Sequence, residues 1–128
     1  MIEKGMTILY VADQAAAKVF YESVLQVEPH LHVPGMTEFR LRNGLALGLM
    51  PIAGIKQLLG EDVFRGPASS HPRAELYVQV DDAQDYLDRA LKNGAEQVLD
   101  VSLRDWGDKV GYCLDPDRHV LAFAEAPE

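Results

Sequence analysis

The same order of elements, a strand, a helix and three further strands, occurs twice in this chain, roughly seventy residues apart. Met6–Val11 (MTILYV) and Glu75–Val80 (ELYVQV) are both short and rich in β-forming residues. Each runs into an acidic residue at a helix-start position, Asp13 or Asp82. After Asp13, the apolar residues Phe20, Tyr21, Val24 and Leu25 fall on one helical face, and after Asp82 the set Tyr86, Leu87, Ala90 and Leu91 repeats that spacing. Gly94 ends the second helix, whereas the first runs into Gln26 without a glycine. Three strand-like stretches follow each helix. In the first half they are Glu28–Val33, Met36–Arg42 and Leu45–Pro51, broken by Pro34-Gly35 and by the hairpin signal Asn43-Gly44. In the second half they are Glu96–Leu103, Asp108–Leu114 and His119–Glu125, with Asp115-Pro116-Asp117-Arg118 as the last turn. The period is too long for a solenoid and reads as gene duplication. The fold class is therefore α+β, with two tandem βαβββ units.

The length suits a single domain over residues 1–128, with a first unit at 5–51, a linker at 52–73 and a second unit at 74–126. Gly60, Gly66, Pro67, Ser69, Ser70 and Pro72 suit an ordered loop in the linker, and Ile55 to Leu59 is expected to form one helical turn. With 48 % hydrophobic and 25 % charged residues, the balance is that of a globular chain able to bury a core. The N-terminal segment Met1 to Met6 lacks a long apolar stretch, and no later segment approaches the run of about 18 apolar residues that a membrane span needs. The lone Cys113 cannot form an internal disulfide, so a reducing, cytoplasmic setting is the default. A formal charge of −8 would repel a phosphate backbone, which argues against nucleic acid as a partner.

Phe20-Tyr21 with Val24-Leu25, then Trp106-Gly107, Gly111-Tyr112 and Asp115-Pro116-Asp117, occur in this order on a duplicated unit. In this pattern the chain resembles the vicinal-oxygen-chelate superfamily of glyoxalases, ring-cleaving dioxygenases and bleomycin-resistance proteins, from Met6 to Glu125. The resemblance implies curved mixed sheets around a cleft that holds a small molecule and, in the enzymes, a divalent metal. It also implies a homodimer, since small members commonly complete their clefts across subunits. Metal-dependent members place His, Gln or Glu at four cleft positions on the first and last strands of each unit. Carried onto this chain, these positions are Met6, Gly48, Glu75 and Ala122. Of these, Glu75 alone suits a hard metal, and a site of this kind needs about three protein ligands and an open position. No metal or other cofactor is expected, and the chain is closest in character to the metal-free bleomycin-resistance-like members.

Strand alternation puts Glu75 on the same face as Tyr77 and Gln79, and the repeat maps that face onto Met6, Ile8 and Tyr10. This face is expected to line the cleft. A carboxylate there needs a hydrogen bond or a cation, either a structural partner among Arg40, Arg42, Arg73 and Arg104 or the ligand itself. Trp106 and Tyr112 are candidates for aromatic stacking with a flat ligand, with core packing as the rival role for Tyr112. The expected ligand-binding set is thus Glu75, Tyr77, Met6, Ile8, Tyr10, Gly48, Trp106, Tyr112 and Ala122, with no catalytic residue assigned.

His30 and His32 stand two apart and would share a face on a strand, where a metal is conceivable but a solvated face is the plainer reading. His71 lies in the linker within reach of a cleft ligand or simply on a surface loop. His119 is expected to face solvent. Cys113 lies mid-strand without a partnered histidine in sequence, and the serines sit in no nucleophile motif. Two functions remain open: a metal-free module that binds a small, cationic or aromatic molecule, or a lyase, isomerase or dioxygenase-type enzyme with non-standard metal ligands.

Overall fold

Period-two runs of β-branched and aromatic residues form the strands, and the two apolar stripes at helical spacing form the helices that cover them. A computed structural model of the chain describes residues 1–65 and 71–128. The elements are β1 (Thr7–Val11), α1 (Gln14–Leu25), β2 (Leu31–Val33), β3 (Met36–Arg40), β4 (Ala46–Pro51) and α2 (Ile52–Leu59), followed by β5 (Glu75–Gln79), α3 (Ala83–Lys92), β6 (Glu96–Leu103), β7 (Lys109–Leu114) and β8 (Val120–Glu125). They divide between two compact units, Met1–Ala68 and Ser69–Glu128. Each unit carries a four-stranded mixed sheet, in the order β1-β4-β3-β2 or β5-β8-β7-β6.

The registers repeat as the sequence does. The first strand of each unit pairs in parallel with the last, setting Ile8 opposite Gly48 and Tyr77 opposite Ala122, and the remaining pairs are antiparallel. In the first unit, α1 packs on β3 and β4. Its Phe20, Tyr21 and Val24 are buried, as are Phe39, Leu47 and Leu49 of the sheet. Burial of each such side chain contributes about 1.5–3 kcal/mol. In the second unit, α3 packs on β6, β7 and β8 and buries Leu87 and Ala90. Gly111 permits this approach, because a Cβ there would lie 2.7 Å from Val101 Cγ2 and 3.0 Å from Leu87 Cδ2.

Both helices begin where an aspartate accepts a backbone N–H, Asp13 from Ala16 at 3.0 Å and Asp82 from Asp85 at 3.1 Å. Helix α3 stops before Gly94, at φ +104°, while α1 ends on Gln26, which takes the left-handed conformation itself at φ 56°. Two local expectations, at Glu28 and at Ile55, differ from the structure. The stretch at Glu28 becomes a strand only from Leu31, although the His30 N–H extends the pairing by donating to the Glu38 carbonyl at 2.7 Å. Asn43-Gly44 turns the antiparallel pair β3–β4 as its hairpin signal suggests, through a 3-10 turn, Arg42–Gly44, closed by Leu41 N–H to Leu45 O at 2.7 Å. The expected single turn at Ile55 is the helix α2, followed by a 3-10 turn at Glu61–Phe64, because Ile55 finds a buried position. Gly66, Pro67, Ser69 and Ser70 of the expected linker lie outside the described residues. Among the described residues, no helix is long and apolar enough to cross a membrane.

Candidate functional site

In the second unit, alternation along β5 turns Leu76 and Val78 inward, where they are buried, and leaves Glu75, Tyr77 and Gln79 on the other face. Pairing sets Glu75 beside Val120, and aligns Tyr77, Ala122 and Tyr112 in one row across β5, β8 and β7. Tyr77 and Tyr112 pack over the buried cluster Val110, Ala122 and Ala124. Tyr112 is half-buried there, and the Arg104 guanidinium sits 5.4 Å from its ring centroid. The Trp106 side chain is exposed, and its Nε1–H donates to Tyr77 Oη at 2.9 Å. Tyr77 Oη in turn donates to a carboxylate oxygen of Asp108. Desolvation and then the Asp108 bond hold the Tyr77 hydroxyl above the ordinary tyrosine pKa, so it stays protonated as a donor.

Glu75 is exposed and, among the described residues of its own unit, pairs with no cation. Two of the arginines considered as its partners are engaged elsewhere. Arg40 Nε lies 3.3 Å from Glu38 Oε2, and an Arg104 terminal nitrogen donates to the carbonyls of Asp100 and Val110, each at 2.8 Å.

In the first unit the equivalent face carries Met6, Ile8 and Tyr10 beside Gly48. Space over Gly48 is closed by its neighbours, since a Cβ there would meet Ile8 Cγ1 and Met6 Sδ at 3.1 Å each and Met36 Sδ at 3.6 Å. Tyr10 packs against Phe64, with ring centroids 5.9 Å apart. Glu38 lies directly across Gly48 on β3, as Tyr112 lies across Ala122 in the other unit. With Arg40, Met6 and Ala46 it lines an open groove that also borders Glu3 and Lys4. Consideration of first and last strands alone passes over Glu38. The alternation of Met36, Glu38 and Arg40 is the signal that finds it.

The histidines fall outside these faces. His32 Nδ1 is 2.7 Å from Thr37 Oγ1, on the side of the sheet that faces α1, where Gln14 Nε2 also donates to Thr37 Oγ1 at 3.0 Å. His30 precedes the strand and is exposed, and His71 is exposed with Nδ1 3.2 Å from the Pro72 carbonyl. His119, expected to face solvent, is only partly exposed. Its Nδ1 lies 2.8 Å from Asp115 Oδ2, inside the last turn. Cys113 is fully buried, and burial followed by the nearby Asp115 charge pushes its thiol up to about 12.

The family model of the glyoxalase-like domain matches residues 5–128. The chain belongs to the glyoxalase-like family. With that it belongs to the vicinal-oxygen-chelate superfamily, as its two mixed-sheet units imply. No curated protein matches this glyoxalase-like chain. Among solved structures, a glyoxalase/bleomycin resistance protein/dioxygenase family enzyme from Burkholderia phytofirmans PsJN is similar to it at a TM-score of 0.81 and 16 % identity, covering 94 % of this chain and 96 % of that one. A glyoxalase-related enzyme from Fulvimarina pelagi aligns at 0.76 and 19 % identity, over 96 % and 88 % of the two chains. A protein from Agrobacterium tumefaciens, solved by NMR in solution, reaches 0.74 and 26 % identity over 100 % of both.

The superfamily's divalent metal does not fit the residues that this glyoxalase-like chain places at the corresponding positions. In the first unit, Met6 offers a thioether and Gly48 no donor, and the space between them is taken by Ile8 and Met6 themselves. In the second, Ala122 is buried without a donor, leaving the carboxylate of Glu75. Among the described residues, no group of three or more His, Cys, Asp and Glu is placed to hold an ion.

Proposed function

We propose that this glyoxalase-like protein binds a small, flat and positively charged or donor-rich molecule, and that it does so without a catalytic metal. Glu75, Tyr77, Trp106 and Tyr112 form the polar and aromatic part of the surface on the second unit, with Ala122 at its floor. Met6, Ile8, Tyr10 and Gly48 form the mainly apolar part, on the first. The observation that carries the reading is the exposed Glu75 carboxylate, paired with no cation among the described residues of its own unit, on the face that also bears Tyr77. A carboxylate accepts from cationic donors through hydrogen bonds about twice as strong as neutral ones, and an aromatic face attracts the same cations. Thermal shift tests this with cationic aromatic compounds, their uncharged isosteres and anionic analogues of the same size. Cations should raise the melting temperature most, and equal shifts across the three sets would overturn the reading.

The active form is proposed to be a homodimer. The exposed apolar side chains Val98, Leu99 and Leu103 on the edge strand β6 support a partner for that edge. Light scattering at micromolar concentration should give twice the 14.2 kDa chain mass, and a particle of the chain mass alone would contradict it.

A further inference from the structure

The hairpin between β6 and β7 holds an arrangement that the sequence does not announce. Its loop is closed by Arg104 N–H to Asp108 O at 2.9 Å and by Gly107 N–H to Arg104 O at 3.0 Å, with Gly107 at φ +101°. This turn puts Trp106 outside, with 58 % of its surface exposed, and Asp108 inside, at 8 %. Tyr77, from a different strand, lies between them. It accepts from the indole N–H and passes its own proton donor to the Asp108 carboxylate.

Two consequences follow from the direction of these bonds. The indole N–H is used internally, so Trp106 can meet a ligand only through its ring face. The chain of donors also ends on a buried carboxylate, and linked hydrogen bonds polarise one another, which leaves the tyrosine oxygen a better acceptor and the indole more electron-rich. An electron-rich, fixed indole face attracts cations. We infer that Asp108 is a positioning residue that acts through Tyr77 to hold Trp106 as a face-on platform for a cationic ligand. The inference deepens the reading under Proposed function and rests on it for the nature of the ligand, while the positioning stands on the geometry of the second unit alone.

Trp106 is the sole tryptophan, so its fluorescence reports the platform directly. Tyr77→Phe removes the link but keeps the ring, and Asp108→Ala removes the anchor. Each should lower the anisotropy of indole emission and shift its maximum to longer wavelength, with far-UV circular dichroism unchanged. Asp108→Asn retains an oxygen that accepts from the tyrosine hydroxyl and should restore the anisotropy, which guards against a merely misfolded alanine variant. The double variant Tyr77→Phe/Asp108→Ala should look like Tyr77→Phe alone, because the two residues act in series. Unchanged anisotropy in Tyr77→Phe, or additive effects in the double variant, would overturn the positioning role.

The ligand arm uses benzyltrimethylammonium and its uncharged isostere neopentylbenzene, followed by quenching of the same emission. The cation should bind better to the wild type, and Tyr77→Phe should weaken it by about two- to fivefold while leaving the isostere unaffected. If the wild type does not prefer the cation, the ligand reading falls, and the fluorescence cycle still decides whether Asp108 positions Trp106.

Discussion

Replacing Asp115 with alanine is expected to destabilise the second unit by about 2–4 kcal/mol, a large part of the stability of a small domain. The carboxylate is buried at the turn between β7 and β8. It accepts the backbone N–H of Asp117 at 2.9 Å and that of His119 at 2.8 Å, and its second oxygen lies 2.8 Å from His119 Nδ1. Alanine leaves those donors without their acceptor in a region that water reaches poorly. The turn also places Arg118 in the left-handed conformation at φ 69°, so little local preference remains to hold it once the carboxylate is gone. Urea denaturation should show a lower midpoint for Asp115→Ala and a smaller loss for Asp115→Asn, which keeps one acceptor. Equal midpoints for wild type and Asp115→Ala would contradict the role of the clamp.

The same turn makes the stability of the second unit depend on pH. Desolvation is the largest influence on the His119 imidazole and pulls its pKa down, but the bond to Asp115, with the charges of Asp115 and Asp117, outweighs it. The net pKa is raised above 6.5. A raised pKa means that the folded state holds the proton more tightly than the unfolded chain. The stabilisation is then fully present below about pH 6.5 and is lost as the pH rises through the folded-state value. Urea midpoints measured across that window should fall for the wild type relative to His119→Gln, and parallel curves would remove the clamp's charge from the account.

Glu75→Gln is expected to weaken a cationic ligand by about tenfold, while an uncharged ligand of the same shape loses little. The substitution keeps size and hydrogen-bonding capacity and removes the charge. A charge-assisted hydrogen bond contributes about 1.5–3 kcal/mol, and the lower end applies because Glu75 is exposed and its field is screened by water. A purely structural role makes the opposite forecast of a lower melting temperature at unchanged affinity. The engagement of Arg104, in the same unit, with two carbonyls speaks for the binding role. Titration calorimetry and thermal melts on the same variant separate the two. Unchanged affinity for every cation that binds the wild type would take Glu75 out of the site.

What could be read from the residues alone was whatever depends on periodicity. The stripe Phe20, Tyr21, Val24 and Leu25 and the alternation Leu76, Val78 against Glu75, Tyr77 each follow from a fixed repeat, and the structure has them as expected. The long-range polar links were not legible, since nothing local requires Tyr77 to meet Asp108 or Trp106 to donate to Tyr77. His119 shows the boundary between the two cases. Its place after an Asp-Pro-Asp turn suggested an exposed strand end, but the bond across four residues to Asp115 draws it in. Gln26 shows the reverse, a helix end made without the glycine that marks such ends in sequence.

Cys113 gives the chain a built-in clock. It is the only thiol, it lies in the middle of β7 between β6 and β8, and it is both sealed from solvent and held in its protonated, unreactive form. An alkylating reagent can reach it only during the moments when that strand detaches. Under conditions where closing outpaces modification, the labelling rate therefore counts the fraction of time the second unit spends open. No engineered probe is needed, and the first unit, which carries no cysteine, contributes no signal to the count.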